Sequence, residues 1–542
     1  MRGLIPCSLF LFVLGLSACT SQQTTQQKQS SQTENITKIK NVIFMIGDGM
    51  GPQQVGLLLS YARQAPNAVI PRLTAFDHLV NDGGQIGVSL PYAHDVLVTD
   101  SAASATQLAS GSSAGNEMIG VDYEGNKTRT ILEIARDQGK AVGLVSDTRL
   151  THATPAGFAA HQRHRSMENE IAIDILNSGS DVLLSGGWRH WIPKNANIAG
   201  SPEQLALQKL MPHAKKIKSK RKDNRNLLLE AKAKGYSLAF DRKTLNQATG
   251  KVLGLFSYSG MANGIIETKT KNDPNRTMPT LKEMTVKSID TLAKNPNGFF
   301  LMVESGQIDW AGHQNDAAWM LHEMLKMNET LNTVLEWMKG RDDTLLVVTA
   351  DHETGGFGFS YSGFNLPKPK KLSGEMFKDA LFRPNYNFGD PAILDKLYQQ
   401  KLVYSAIFKK YNKLAETERT PRALVELVNN NTEFPINKTE AKRILETESN
   451  LYYEDGHYSL GKKTVSRIGA NDAYYVYAKR HQGALLARVK ANDMGLTWST
   501  GTHTSTPVLV FSKGPGTSTE PFTKIIHHTD IPKYLEKAMM NN

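Results

Sequence analysis

Short apolar segments rich in β-branched residues recur along this chain and alternate with stretches of helical character. Such apolar runs are typical of strands that are buried on both faces of a parallel sheet. The strands predicted in this way are Val42–Ile46, Val96–Thr99, Ala141–Ser146, Asp181–Leu184, Phe299–Val303, Thr344–Thr349 and Pro507–Phe511. We therefore predict an α/β fold with a central, mostly parallel sheet and helices on both of its faces.

The length and composition are those of a globular protein. With 542 residues, 40% of them hydrophobic, the chain can bury a large core, which excludes wholesale disorder. Length alone does not fix the number of domains. The 63 Lys and Arg residues exceed the 52 Asp and Glu residues, a balance that suits an anionic partner without identifying one.

The first residues have the form of a secretory signal. Arg2 precedes an apolar run, Leu4–Leu16, that is too short to span a bilayer. The run leads into Leu16-Ser17-Ala18-Cys19, which resembles the bacterial lipobox, where the signal is cut before a cysteine that receives a diacylglycerol. We predict that residues 1–18 are a lipoprotein signal peptide and that Cys19 is lipidated. The alternative is an ordinary signal peptide with an accidental cysteine.

The segment that follows is predicted to be a lipid-anchored polar tether, residues 19–38. After Cys19 it consists almost entirely of Ser, Thr, Gln and Lys, with too little apolar content to fold. Because Cys7 would leave with the signal, the mature chain would contain no disulfide. We expect an exported protein, lipid-anchored to the cell envelope on the periplasmic side or at the cell surface.

Two segments have the character of insertions. Residues 213–234 carry nine Lys or Arg residues and no aromatic residue. Since nucleic-acid binding would call for stacking side chains nearby, we predict a solvated helical face and no nucleic-acid partner. Residues 361–490 lack the strand rhythm, and 11 of the 17 tyrosines lie between 361 and 477. We predict that 361–490 is a helix-rich inserted cap or crown-like segment, or an oligomer contact.

Polar residues directly follow several of the predicted strands. They are Asp48, Asp100 with Ser101, Glu304, and Asp351 with His352. Ligand sites in open α/β sheets lie at the carboxyl ends of the strands, so we expect these side chains to converge there.

Two pairs within this set are suited to binding a metal. Asp309 and His313 are four residues apart, so one turn of helix would place a carboxylate and an imidazole on the same face, as a zinc site requires. Asp351 and His352 follow a buried strand, where an unpaired charge is costly. Each pair taken alone could equally be a salt bridge or a helix cap, but several such pairs on successive strand ends favour a metal.

Ser101 lies after the strand predicted at Val96–Thr99 and opens a run of small, helix-compatible residues. A hydroxyl at a helix N-terminus is close to free N–H groups and the positive end of the helix dipole, which favour an alkoxide or a bound phosphate. Alternatively, Asp100 or Ser101 could simply cap the helix.

Five motifs together resemble the alkaline phosphatase family. They are Ile46-Gly47-Asp48-Gly49-Met50-Gly51, Thr99-Asp100-Ser101-Ala102-Ala103-Ser104, Glu304 to His313, Thr349-Ala350-Asp351-His352 and Gly501-Thr502-His503-Thr504. The similarity covers most of residues 41–360 and 495–535, so residues 39–360 and 491–542 are predicted to form the catalytic domain. The tether and the insert lie outside it.

The resemblance implies two Zn²⁺ ions and one Mg²⁺ ion per chain. One zinc would be bound by Asp309, His313 and His503, and the other by Asp48, Asp351 and His352. The magnesium would be bound by Asp48, Thr154 and Glu304. These donor types agree with the split, because His with carboxylates suits zinc and an all-oxygen set suits magnesium.

The resemblance also implies that Ser101 is the nucleophile and that Arg165 binds the phosphate, with Arg163 as a close competitor. Two positions depart from the best-known bacterial pattern, which has an aspartate and a lysine near the third ion. Here His152 and Trp310 stand at those positions, which puts in doubt how tightly that ion is held. We expect both side chains to lie just outside the ligands.

The implied activity is the hydrolysis of phosphate monoesters through a phosphoseryl intermediate, with broad specificity. A homodimer is compatible with the resemblance, although the sequence does not fix the oligomeric state. The alternatives are a phosphodiesterase or sulfatase of the same superfamily and a non-catalytic, metal-dependent phosphate-binding lipoprotein. Gly111-Ser112-Ser113-Ala114-Gly115 also fits the elbow of α/β-hydrolases, but it follows a helical run where the elbow requires a strand.

Overall fold

The computed structural model describes residues 39–457, 460–467 and 481–540. The strands are β1 Asn41–Gly47, β2 Gln85–Leu90, β3 Ala141–Arg149, β4 Val182–Gly186, β5 Tyr236–Ala239, β6 Lys251–Leu255, β7 Phe299–Ser305, β8 Thr344–Ala350, β9 Glu353–Thr354, β10 Phe357–Phe359, β11 Lys370–Lys371, β12 Leu381–Phe382, β13 Thr447–Ser449, β14 Thr464–Ser466, β15 Leu496–Trp498, β16 His503–Thr504, β17 Val508–Lys513 and β18 Ile525–His527. The α-helices are α1 Pro52–Gln64, α2 Ala75–Asn81, α3 Ser101–Ser110, α4 Ile131–Asp137, α5 Ala153–Ala159, α6 Glu168–Asn177, α7 Pro202–Leu210, α8 Leu227–Ala233, α9 Arg242–Gln247, α10 Gly264–Thr270, α11 Leu281–Leu292, α12 Gln307–His313, α13 Ala317–Met338, α14 Ala392–Tyr398, α15 Tyr404–Tyr411, α16 Pro421–Asn429, α17 Lys438–Leu445, α18 His481–Val489, α19 Ala491–Met494 and α20 Asp530–Met540.

Ten of these strands form one sheet in the order β18-β2-β17-β8-β1-β7-β3-β4-β6-β5. The seven neighbouring strands from β8 to β5 are all parallel. Strand β17 runs antiparallel to both β8 and β2, and β18 runs parallel to β2. The prediction of a mostly parallel central sheet is therefore confirmed.

Helices cover both faces of the sheet, as predicted. Strand β1 shows why, since all seven of its residues are buried and its side chains alternate between two cores. Val42, Phe44 and Ile46 pack in the core formed with α3, α4, α5, α6 and α20. Ile43 and Met45 pack in the core formed with α1, α2, α11 and α13. A strand buried on both sides must be apolar at every position, which is the pattern seen in the sequence.

One predicted strand is wrong, and others were missed. Residues 96–99 form no strand, and Val96, Leu97 and Val98 are 41, 84 and 38% exposed. Local β-propensity is overridden there because no neighbouring strand pairs with the segment. Strand β2 occupies the sheet instead, and its mixture of polar residues and glycine hid it from the apolar pattern. The short strands β5, β6 and β18 were missed as well.

The expectation for residues 213–234 is also wrong in part. Only α8 is helical, and the residues before it form an irregular loop. Arg221 within that loop is 3% exposed and pairs with Asp223 at 2.7 Å, so it is structural rather than solvated.

The insert at 361–490 is rich in helices where it is described. Helices α15, α16 and α17 bury Tyr404, Ile407, Leu424, Val428 and Ile444 in a small core that they share with α18. Helix α14 packs Leu394 and Leu397 into the main core. A role as a cap or oligomer contact stays a prediction, as do the domain boundaries.

The signal peptide, the tether and Cys19 lie outside the described residues. Within those residues, no helix has both the length and the apolar character needed to cross a membrane.

Candidate active site and metal centre

The carboxyl ends of four adjacent parallel strands bring the predicted site residues together. Asp48 follows β1, Glu304 lies at the end of β7, and Asp351 with His352 follows β8. Ile46 of β1 is in register with Glu304 on one side and with Thr349 on the other. Strand β3 adjoins β7 and leads into His152 and Thr154 at the start of α5. The expected convergence at this edge is what the structure has for these residues, whereas Asp100 and Ser101 follow no strand and lie at the start of α3.

Ser101 is the first residue of α3, as predicted from its neighbours. The cap is Asp100, whose carboxylate accepts the N–H of Ala103 at 3.0 Å, so Ser101 itself is not needed as the cap. The Ser101 side chain is buried, and its Oγ lies 3.2 Å from Nε2 of His352. The hydroxyl therefore points toward the strand ends rather than toward its own backbone.

Arg165, and not Arg163, lies beside this serine. Its Nη1 donates to the Asp100 carboxylate at 2.8 Å, and Arg163 is exposed. Burial opposes ionisation of Asp100, but the Arg165 guanidinium together with the backbone N–H groups of Ala103 and Glu117 outweighs it and lowers the pKa of that carboxyl. Asp100 thus holds both the helix start and the guanidinium next to Ser101.

Three groups of side chains bring their ligand atoms within 4.8 Å of one another. They are Asp48 with Asp351 and His352, Asp309 with His352 and His503, and Asp48 with His152 and Glu304. His313 adjoins the second group, with Nε2 at 3.2 Å from Asp309 Oδ1. Asp48 and His352 belong to two groups each, so the three groups form one continuous centre.

The two outer histidines are oriented by backbone carbonyls. His313 Nδ1 lies 2.7 Å from the carbonyl oxygen of Gly501, and His503 Nδ1 lies 2.9 Å from that of Thr99. A carbonyl can only accept, so each Nδ1 carries a proton, and Nε2 is the ring nitrogen that faces the centre. A neutral ring held in this way would present its Nε2 lone pair to a metal.

Several hydroxyl groups that the sequence analysis missed support the carboxylates. Ser146 and Thr148 of β3 both donate to Glu304, Thr148 at 3.0 Å. Thr354 of β9 donates to Asp309 at 2.7 Å. Polar residues at the end of an apolar strand, Ser146-Asp147-Thr148, were the available signal, and it is a weak one.

His152 and Trp310 lie at the third group as expected. His152 Nδ1 is 3.8 Å from Glu304 and 3.9 Å from Asp48, and the Trp310 ring meets the His152 ring edge-on at 6.0 Å between centroids. Burial lowers the pKa of His152, which favours a neutral ring.

The charge balance of the centre calls for cations. Asp48, Asp351 and Glu304 are fully buried, and each has at least one carboxylate oxygen without a hydrogen-bond partner. Thr154 Oγ1 and His152 Nδ1 also lack a hydrogen-bond partner. Burial, together with the neighbouring Asp351, raises the pKa of Asp48 well above its ordinary value. Buried, unpaired carboxylates are strongly unfavourable unless a cation binds them. The donor set therefore fits bound metal ions.

The surroundings lower the pKa values of both His352 and Asp309. Burial, with the nearby His503, lowers the pKa of His352 well below its ordinary value, so this ring is neutral and able to bind a metal. Burial opposes the ionisation of Asp309, but the His313 and His503 rings outweigh it and lower the pKa of Asp309 well below its ordinary value. These neighbours therefore favour the anionic form of Asp309, the form that could bind a metal.

The α/β-hydrolase alternative is excluded by the local structure. Gly111 has φ of 71° and ends α3, so Gly111–Gly115 follows a helix and not a strand. Ser113 Oγ lies 3.4 Å from His94 Nδ1 at a partly exposed position away from the metal-binding groups.

Comparison with known proteins agrees with this geometry. The family model described as alkaline phosphatase matches residues 39–541. Alkaline phosphatase 3 of Bacillus subtilis is 31% identical over 552 residues, covering 100% of this chain and 98% of the relative. A cold-active alkaline phosphatase from a psychrophilic Shewanella species superposes with a TM-score of 0.65 at 26% identity, covering 92% of this chain and 99% of that one.

A more distant structure has the same fold. A histidine-to-aspartate variant of the alkaline phosphatase of the Antarctic bacterium TAB5, with Mg bound in its M3 site, superposes with a TM-score of 0.56 at 22% identity, covering 93% of this chain and 98% of that one. Together, the family match, the full-length relative and the metal-binding strand ends lead to one conclusion. The chain belongs to the alkaline phosphatase family and is a metal-dependent phosphatase.

Proposed function

We propose that Ser101 is the nucleophile that accepts the phosphoryl group of a phosphate monoester and then passes it to water. The observation that carries this proposal is the position of Ser101 Oγ, 3.2 Å from Nε2 of His352. His352 belongs both to the group with Asp48 and to the group with Asp309. A hydroxyl beside a residue that two candidate metal-binding sets share is placed where two-metal phosphoryl transfer needs its attacking oxygen.

The proposed assignment gives each set one ion. Asp48, Asp351 and His352 would hold one zinc, and Asp309, His313 and His503 the other. Asp48, Thr154 and Glu304 would hold magnesium, the ion that an all-oxygen donor set favours. When bound, the ions lower the pKa of the serine hydroxyl and stabilise the charge on the transferring and leaving oxygens.

The residues of the chain would then act in two steps. In the first, Ser101 Oγ bonds to phosphorus, the ester P–O bond breaks, and the alcohol leaves with the proton that the serine hydroxyl gave up. In the second, a water oxygen bonds to phosphorus, the Ser101 P–O bond breaks, a water proton returns to Ser101 Oγ, and inorganic phosphate leaves. Both steps conserve charge and need no further reactant.

Arg165 would hold the phosphoryl oxygens during both steps. A guanidinium has five N–H donors, so its bond to Asp100 leaves others to reach two oxygens at once. These contacts address the phosphate and not the alcohol, so we infer broad specificity for monoesters.

Two measurements test this function. Release of p-nitrophenol from its phosphate ester should be abolished by chelation and restored by zinc with magnesium, and metal analysis should find about two zinc ions and one magnesium ion per chain. Trapping at acidic pH, where the second step slows, should yield a phosphoserine that maps to Ser101.

The matched control is Ser113, which also lies beside a histidine ring. Ser101→Ala should lose the adduct and most of the rate while keeping its metals, and Ser113→Ala should retain near-normal activity. Phosphate mapped to Ser113, or full activity in a metal-free preparation, would refute the proposal.

We also infer that Cys19 is diacylated and anchors the enzyme to the cell envelope, on the strength of the lipobox and the polar tether after it. Cys19→Ser should move the protein from the membrane fraction to the soluble fraction. Unchanged membrane association without a lipid label at Cys19 would contradict this.

A further inference from the structure

A lysine is buried beneath the metal-binding groups, in the middle of the 22-residue helix α13. Lys326 is 5% exposed, and its Nζ lies 2.6 Å from Asp147 Oδ2 and also pairs with Glu323. Burial alone would favour the neutral amine, but Asp147 and Glu323 outweigh it and raise the pKa of Lys326. Glu267 of α10 also faces this group. The carboxylates of Asp147 and Glu323 thus favour the charged form of Lys326 in the protein interior.

The carboxylate of Glu323 fixes one side of this ammonium. Glu323 Oε1 accepts the indole N–H of Trp319 and the backbone N–H of Gly264, both at 2.6 Å. Glu323 is fully buried and therefore cannot follow a moving partner. Glu323 of α13, which is itself fixed by the N–H of Gly264 of α10, thus holds the Lys326 ammonium in place. The ammonium in turn fixes the position of the Asp147 carboxylate.

Asp147 connects the lysine to the metal-binding segment. Its Oδ1 accepts a hydrogen bond from the backbone N–H of Gly306 at 2.7 Å, and its backbone carbonyl oxygen accepts one from Nε2 of Gln307 at 3.0 Å. Gly306 separates Glu304 from helix α12, which carries Asp309 and His313. One carboxylate oxygen therefore binds the ammonium while the other fixes the turn between two sets of proposed ligands.

The turn has little freedom to move in other ways. A Cβ at Gly306 would contact both Thr148 and the Glu304 carboxylate, so the backbone passes directly against a proposed magnesium ligand. A small rotation of this peptide would shift Glu304 relative to α12. Groups that orient metal ligands in this way typically change metal affinity by about 10- to 100-fold when they are removed.

We propose that Lys326 is a positioning residue for the metal centre, acting through Asp147 and the N–H of Gly306 to set the placement of Glu304 against α12. This inference rests on the proposed third, magnesium site. It assigns a role to a charge that touches neither substrate nor metal and that the proposed reaction does not otherwise use.

The test is the binding of Mg²⁺, measured by calorimetry on zinc-loaded, magnesium-free enzyme. Lys326→Met should bind Mg²⁺ about ten-fold more weakly. With Mg²⁺ saturating, its KM for p-nitrophenyl phosphate should change by less than about two-fold, because Arg165 is not disturbed. Lys282→Met is the matched control, since Lys282 pairs with Glu329 on the surface of α11 and should leave Mg²⁺ affinity unchanged.

Two double variants keep the proposal testable if the single variant does not fold. Asp147→Asn/Lys326→Met removes the ion pair between Asp147 and Lys326 but keeps an amide oxygen for Gly306, and it should bind Mg²⁺ within about three-fold of the parent. Asp147→Ala/Lys326→Met lacks that acceptor and should bind about ten-fold more weakly.

Equal Mg²⁺ affinity in the parent and in both double variants would overturn the positioning role alone. The same holds for a folded Lys326→Met protein that loses stability without losing Mg²⁺ affinity. A parent enzyme that binds no Mg²⁺ would instead overturn the proposed third metal site.

Discussion

The buried carboxylate of Asp351 predicts that the chelated enzyme, unlike the metal-loaded enzyme, loses stability as the pH rises from ~4 to ~7. Asp351 is fully buried; its Oδ1 accepts the N–H of Gly49 at 3.0 Å, and its Oδ2 has no hydrogen-bond partner. Burial raises the pKa of Asp351 to about 7. In the unfolded chain the value is about 3.9, so without a cation the folded state binds this proton more tightly.

The sign and size follow from that difference. A folded-state pKa above the unfolded one contributes stability that is fully present below pH ~4 and is lost as the pH rises to ~7. Three units correspond to about 4 kcal/mol for Asp351 alone. At about 1 °C per kcal/mol for a chain of this length, the chelated enzyme should lose about 4 °C in Tm across this window. In the loaded enzyme the ionised carboxylate is bound by a cation, so the loss disappears.

The assay is thermal unfolding of chelated and loaded enzyme at intervals from pH 4 to 8. The gap between the two Tm values should widen up to pH ~7 and then level off. In the chelated state Asp351→Asn should reduce the slope, because an amide does not ionise. Asp395→Asn serves as the control, since Asp395 is buried elsewhere and bonds to Asn67. A gap that stays constant, or that narrows with rising pH, would refute the reasoning.

Three further predictions concern the phosphate, the third ion and the packing of the sheet. Arg165→Ala should weaken binding of substrate and phosphate while leaving some turnover, and the same phenotype in Arg163→Ala instead would show that the assignment is displaced by two residues. His152→Asp should tighten Mg²⁺ binding, measured by calorimetry, because it adds a carboxylate beside two others. Gly87→Ala should lower the free energy of unfolding by more than about 2 kcal/mol, because a Cβ there would collide with a backbone carbonyl. A Cβ at Gly358 would meet no atom within 4 Å, so Gly358→Ala should leave the free energy of unfolding nearly unchanged. Urea titration measures this quantity for both variants.

The class of fold could be predicted because strands buried on both faces of a parallel sheet appear in the sequence as short apolar runs. Asn41–Gly47 is buried at all seven positions, so an apolar run is the only pattern compatible with its place. The prediction failed where the apolar pattern of a segment did not match its place in the sheet. Val96–Thr99 has the composition of a strand, yet Val96, Leu97 and Val98 are exposed and the segment is unpaired. Gln85–Leu90 is a paired strand of the sheet although it contains two polar residues and a glycine. Pairing depends on a neighbour that local composition does not reveal.

The candidate site divides in the same way. Family motifs singled out Asp48, Ser101 and His352 from their immediate neighbours, but the choice between Arg163 and Arg165 needed the position of Asp100. Two arginines that are two residues apart share their sequence context. They differ only in which one faces a carboxylate that lies more than 60 residues earlier in the chain.

By itself, the sequence determined that helices alternate with buried strands, that chemically active residues follow those strands, and that the family motifs occur in order. The tertiary structure decided that Asp48, Glu304 and Asp351 meet, that hydroxyls of β3 support Glu304, and that Lys326 lies behind Asp147. The physical reason is that apolar periodicity reports the burial of each element separately. Strand order and register bring residues 48, 304 and 351 to one edge, and these depend on the packing of the whole chain.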